Sequence, residues 1–181
     1  MPRRPSFLIG ILIVAIVAAI GGGVREWHAR PIFGPIFAPR QTGAVITGRP
    51  RVVDGDSLEV AGHRVRLFGI DAPESLQDCS DARGRRYACG REARDALAAA
   101  IGRQSVSCKP VGASYGRDVS MCTAGGRDLS DTMVRSGHAL ELRQYSRGRY
   151  ADAEREARNA RRGLWAGDFD HPSDWRHGHG R

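Results

Sequence analysis

The chain has 181 residues, enough for one domain of ordinary size with terminal extensions and too few for two full domains. With 28 Lys+Arg against 20 Asp+Glu, the net charge is +8 and the sequence pI is near 10.1; this balance favours a polyanionic partner, either nucleic acid or an anionic membrane surface. Lys109 is the only lysine, so nearly all the positive charge is arginine, which suits bidentate phosphate binding but is also what a compositional bias of the source genome would give.

In chain order, a basic N-terminus (residues 1–6) precedes an uncharged run, "FLIGILIVAIVAAIGGGV", over residues 7–24. As a helix this run would span about 27 Å, enough to enter a bilayer. Trp27 suits the interface anchor of a retained transmembrane helix, whereas Val17-Ala18-Ala19 resembles a signal-peptide cleavage site; both readings stay open. Residues 25–43, with Pro31, Pro35 and Pro39 at four-residue steps, read as an extended Pro-rich linker. From Ala44 the pattern changes to short β-type runs, "AVITG", "RVVDGDSLEV" and "HRVRLFGI", joined by Gly and Asp turns. "GREARDALAAAIG" then puts Ala93, Leu97, Ala100 and Ile101 on one helical stripe, with Gly102 as a stop. Two further strands, "QSVSCKP" and "RDVSMCTA", flank a loop holding Tyr115, Gly116 and Arg117. "DLSDTMVRSG" predicts a short helix, and "YADAEREARNARRG" an amphipathic one carrying Tyr150, Ala153, Ala157, Ala160 and Leu164. Residues 166–181, with Gly, Pro and "HGHG", are expected to be a flexible C-terminal tail. The fold expected is α+β, mainly β: a five-stranded barrel of the oligonucleotide-binding (OB-fold) type with three helices, over residues 44–165.

The polar outliers carry the chemistry. Asp54 and Asp56 interrupt one strand run; Asp71 and Glu74 end another, where Pro73 forbids further pairing. Carboxylates on neighbouring strands converge. Three of them close together repel unless a cation lies among them, and an all-oxygen set suits calcium or magnesium. "DGD" taken alone reads as a hairpin turn. Arg66 lies in an apolar strand, on the face of Ile70, and a guanidinium there needs an anion: a structural carboxylate or a bound ligand. With Arg117 on the later loop, two arginines and a divalent cation would clamp a phosphodiester.

These blocks, "VVDGDSLEV", "RVRLFGIDAPE", "SYGRDV" and "ARRGLW", closely resemble, in the same order, those of the staphylococcal nuclease (thermonuclease) family, over roughly residues 44–165. The resemblance implies an OB-fold barrel, a calcium ion and hydrolysis of DNA and RNA with little sequence specificity, leaving 3′-phosphate products. It implies that Asp56 and Asp71 hold calcium with the carbonyl of Ala72. Glu74 would activate or orient water, Arg66 and Arg117 would bind phosphate, and Tyr115 would lie at the substrate phosphate. Two positions depart from the pattern. Ser114 stands where the staphylococcal enzyme has a lysine, and its downstream aromatic pair is reduced to Tyr145, with Arg143 at the other place. Base stacking then rests on Tyr145. The alternative to an enzyme is a non-catalytic OB-fold module binding nucleic acid or a protein at the membrane.

Cys79, Cys89, Cys108 and Cys122 are absent from the staphylococcal enzyme. Four cysteines allow three pairings, and their gaps of ten, nineteen and fourteen residues fit no zinc-finger spacing. Disulfides place the domain outside the cytoplasm: on the periplasmic side of an inner membrane if residues 7–24 stay uncleaved, secreted if they are cut. Pairs close along the chain fit local turn and hairpin geometry, so Cys79–Cys89 and Cys108–Cys122 are predicted. A monomer is expected.

Overall fold

The computed structural model describes residues 43–179. The expectations for residues 1–6 and 7–24, and for the linker up to its last residue, lie outside the described residues. Among those described, no helix is long and apolar enough to cross a membrane.

The domain is mixed α+β, built around one main sheet. The described residues open with β1 (Ile46–Gly48) and β2 (Pro50–Val52), interrupted at Arg49, then β3 (Ser57–Val60) and β4 (His63–Leu67). Short strands β5 (Ile70–Asp71), β6 (Cys79–Ser80) and β7 (Arg86–Tyr87) lead into α1 (Cys89–Ile101). A long hairpin follows, β8 (Val106–Ser114) and β9 (Arg117–Ala124), then β10 (Arg127–Asp128), α2 (Leu129–Arg135), β11 (Leu140–Glu141), α3 (Arg143–Ser146), α4 (Ala151–Asn159), a 3-10 turn (Gly163–Ala166) and α5 (Pro172–Gly178).

The main sheet runs β1-β8-β9-β4-β3-β2, with β10 added on β9. Its pairings are antiparallel except β4 with β9, which is parallel. The two end strands flank Arg49 in sequence but do not pair with each other, so the path is open where a closed five-stranded barrel was expected. The "HRVRLFGI" run is also cut: β4 stops at Leu67, and Ile70 belongs to β5, which pairs with β11 in a separate two-stranded sheet. Gly69, at φ +72, makes the bend, a conformation that costs glycine little.

Alternation does the packing. Leu58, Val60, Val65, Leu67, Val106, Cys108, Cys122 and Ala124 point from the sheet into the core, as period-two strands require. Ala93, Leu97 and Ile101 of α1, Leu129, Met133 and Val134 of α2 and Ala153 of α4 meet them, each at helical spacing. Cys108 lies directly opposite Cys122 in the β8–β9 register and bonds to it. Cys79 bonds to Cys89, tying β6 to the first residue of α1. Both predicted pairings are therefore present, and no described cysteine is free.

The segment expected to be a loose tail is structured through residue 179. Asp168 exchanges backbone hydrogen bonds with Ser80, Trp165 and Phe169 pack edge to face, and α5 begins with Pro172 at its first turn. The residues of α5 suit a helix. Proline is pre-set for a helix start, and Asp174 in the first turn with Arg176 and His177 in the last complements the helix dipole.

Candidate active site

The "DGD" segment is a turn, and the same turn presents the Asp56 carboxylate to Arg66. Val53 and Asp54 donate their amides to the Ser57 carbonyl, and the Asp56 amide donates to Asp54 Oδ1 at 3.0 Å. The Asp56 carbonyl accepts from the Leu67 amide at 2.8 Å, which fixes the turn against the end of β4. Gly55 is required there: a Cβ would lie 2.7 Å from those of Ala72 and Ala93. The turn is thereby pressed onto the Asp71-Ala72 strand exit.

Asp56 and Asp71 meet at one guanidinium. Arg66 Nη2 is 2.7 Å from Asp56 Oδ2 and 2.7 Å from Asp71 Oδ1. Arg66 sits in β4 on the face opposite the core residues Val65 and Leu67, so one strand delivers apolar groups to the core and a cation to the site. Asp56 also accepts from Ser57 Oγ at 2.9 Å and from the Ala72 amide at 3.3 Å. Arg117, first residue of β9, donates to Ser57 Oγ at 3.5 Å, completing a chain from Arg117 through Ser57 to Asp56. Burial pushes the Asp56 carboxyl up to about 7; the Asp54 and Asp71 charges add to the rise, while Arg66 and the Ser57 hydroxyl oppose it.

Glu74 lies on the loop after β5. Its amide donates to Gln77 Oε1 at 3.2 Å, and its carbonyl accepts from the Gln77 amide at 2.8 Å. Gly90 of α1 packs on this loop so closely that a Cβ would fall 1.7 Å from the Glu74 carbonyl oxygen. The Glu74 carboxylate does not meet Arg66. It accepts from Arg176 of α5 at 2.9 Å, and the same guanidinium binds both Asp71 oxygens at 3.0 Å. The bonds to Asp71 and Glu74 raise the Arg176 pKa further above its ordinary range, so it is charged.

Arg176 is the site residue that sequence reasoning missed, together with fully buried Gln77, whose Nε2 donates to the Asp170 carbonyl at 2.7 Å and so anchors the segment carrying Arg176. The Pro-Ser-Asp helix start is the one signal of order there, but nothing local says where the arginine points. Tyr115 and Tyr145 stand apart from the cluster. Tyr115 occupies the two-residue β8–β9 turn with Gly116, both at positive φ, and is 95% exposed; this is the primed turn that hairpins favour. Tyr145 is 62% exposed on α3.

Among the described residues no three His, Cys, Asp or Glu side chains are grouped to hold a metal. Asp56 and Asp71 are instead neutralised by guanidinium groups. The donors present, two carboxylates beside a backbone strand exit, are hard oxygens, and by that chemistry they fit calcium or magnesium rather than a soft metal.

The family profile described as "Staphylococcal nuclease homologue" matches residues 64–167. The chain is 38% identical over 129 residues to "Succinoglycan biosynthesis protein ExoI" of Rhizobium meliloti (strain 1021), covering 70% of this chain and 68% of that one. It is 35% identical over 146 residues to "Micrococcal nuclease" of Shigella flexneri, covering 70% and 77%. Against "Probable staphylococcal-like nuclease CAN3" of Oryza sativa subsp. japonica it is 36% identical over 124 residues, 67% of this chain but 30% of the longer plant protein. With the profile matching more than half its length, the chain belongs to the staphylococcal nuclease family and is a hydrolase of the nuclease type.

Proposed function

We propose that this nuclease is a calcium-dependent phosphodiesterase that cleaves DNA and RNA with little sequence preference and leaves 3′-phosphate ends. One observation carries the reading: Asp56 and Asp71 share a single nitrogen of Arg66 at 2.7 Å each, in a turn and a strand exit pressed together at Gly55. Asp56, Asp71 and the Ala72 carbonyl are the groups that would hold calcium, which when bound supplies Lewis-acid polarisation of a phosphate oxygen. Glu74 accepts the proton of the attacking water at its carboxylate. Arg66 and Arg117 stabilise charge that builds on the phosphoryl oxygens. Tyr115 contacts the substrate phosphate, and Tyr145 offers a ring on which a base stacks. Contacts of this kind read the backbone, so sequence matters little.

The enzyme works outside the cytoplasm, as a monomer, tethered by residues 7–24 or released by their cleavage. The two disulfides support that compartment.

The test is incubation of the full chain with DNA and with RNA, in calcium and in chelator. Cleavage of both in calcium alone, with ends that a polymerase extends only after phosphatase treatment, is expected. Full cleavage in chelator removes calcium from the mechanism; binding without cleavage in calcium makes the domain a binding module.

A further inference from the structure

We propose that Arg176 is an internal counter-cation of the metal-free site, and that a divalent cation at Asp71 and the docked C-terminal helix exclude each other. This rests on the reading of Asp71 as a calcium ligand.

The contact is specific. Both Asp71 oxygens are taken by the two terminal nitrogens of Arg176 at 3.0 Å, and Oδ1 also by Arg66 at 2.7 Å. Asp71 is 2% exposed, so an incoming ion has no open side of this carboxylate to use. Calcium needs carboxylate oxygens at roughly 2.3–2.6 Å. A guanidinium already bonded to both oxygens must leave or tilt away, because its N–H groups fill the directions from which an ion would reach them. Exchange replaces a single positive charge by a double one beside Asp56, Asp71 and Glu74, which the surplus of carboxylates favours. The same guanidinium holds Glu74 at 2.9 Å. While it is docked, Oε1 of the proposed base is taken by an N–H donor and is not open to a water. One side chain therefore holds both the metal ligand and the base in an inactive pairing.

The helix is built to let go. It has seven residues, and Pro172 is its only buried one; so short a helix does not persist without its contacts. Trp175 stacks on His179 of the same terminal segment, with ring centroids 4.1 Å apart, instead of entering the core. The chain before it is anchored separately, through Ser80–Asp168 and Gln77–Asp170. Release can thus begin after Asp170 and leave the disulfide-tied region in place.

By reciprocity, whatever docking of Arg176 subtracts from calcium affinity, calcium subtracts from docking. The experiment is calorimetric titration of the full chain with calcium, for the parent, Arg176→Ala, Arg176→Gln and Asp71→Asn, with hydrogen exchange of amides 173–178 in calcium and in chelator. Both Arg176 variants should bind calcium about tenfold more tightly than the parent, a coupling of ordinary size. In the parent, calcium should speed exchange across residues 173–178, a readout that needs no variant to fold. Calcium binding of equal or lower affinity in both Arg176 variants, or helix exchange unchanged by bound calcium, overturns the latch and leaves the calcium reading intact. If neither parent nor Arg176 variants bind calcium, or if Asp71→Asn binds it as well as the parent, the assignment of Asp71 fails and the latch fails with it.

Discussion

Two arms of the chain meet at the site, and they are held by different physics. The first, from Asp54 to Glu74, is a short stretch in which Asp56, Arg66 and Asp71 are fixed by the β3–β4 ladder, the backbone bond from Leu67 to Asp56 and the close approach at Gly55. The second is α5, which brings Arg176 from 105 residues beyond Asp71 and is held by a few hydrogen bonds and one buried proline. Ladder bonds and core packing break only with the fold, whereas a short docked helix opens locally at small cost. One half of the site is therefore rigid scaffold, and the other half is held by fewer and more local contacts.

The sharpest way to break this comparison is to remove the residue that joins the first arm. Arg66→Ala leaves Asp56 and Asp71, both buried, without their shared partner, and a broken buried pair costs roughly 3–5 kcal/mol. Urea unfolding of the metal-free variant should show that loss, while turnover and substrate affinity both fall. Glu74→Gln keeps size but cannot take a proton; turnover should drop about 10²–10⁴-fold with KM nearly unchanged, and single-turnover kinetics will separate the two. The scaffold itself is tested by Cys108→Ser with Cys122→Ser, which opens a loop of 14 residues' separation and should lower stability by about 3 kcal/mol while leaving the site chemistry in place. Thermal melts with and without reductant will check it. Arg176→Ala should be the mildest: its side chain is 28% exposed and Asp71 keeps Arg66, so stability should fall by no more than about 1 kcal/mol. A loss as large as that of Arg66→Ala would mean the second arm is scaffold too.

Much of the first arm is legible in the amino-acid sequence. "DGD", the apolar run around Arg66 and the "DAPE" exit lie within 21 residues, so strand alternation and a proline stop are enough to bring their polar groups to one place. The β8–β9 hairpin and both disulfides are legible for the same reason: the partners are close along the chain, and local geometry limits their choices. The three expected helices are present, but the third stops at Asn159, and Leu164 of its expected stripe lies in the following 3-10 turn. The strand expected to continue through Ile70 does not, because Gly69 bends the chain there and the pairing of β5 with β11 is a contact of long sequence separation.

The long hairpin, three of the helices, the cross-links and the set of charged groups at the β3–β4 end follow from the sequence, because helix and strand periods and short loops are local properties. How those charges are balanced is a matter of tertiary structure. Nothing local to "HPSDWRHGHGR" says that its arginine reaches Asp71 and Glu74; that follows from Gln77 and Ser80 capturing the chain at Asp170 and Asp168. Nor does any local pattern say that Asp56 and Asp71 share one guanidinium. Which counter-charge a buried carboxylate finds depends on what the whole fold brings to within 3.0 Å of it, and the identity of that neighbour is not a property of the segment that carries the carboxylate.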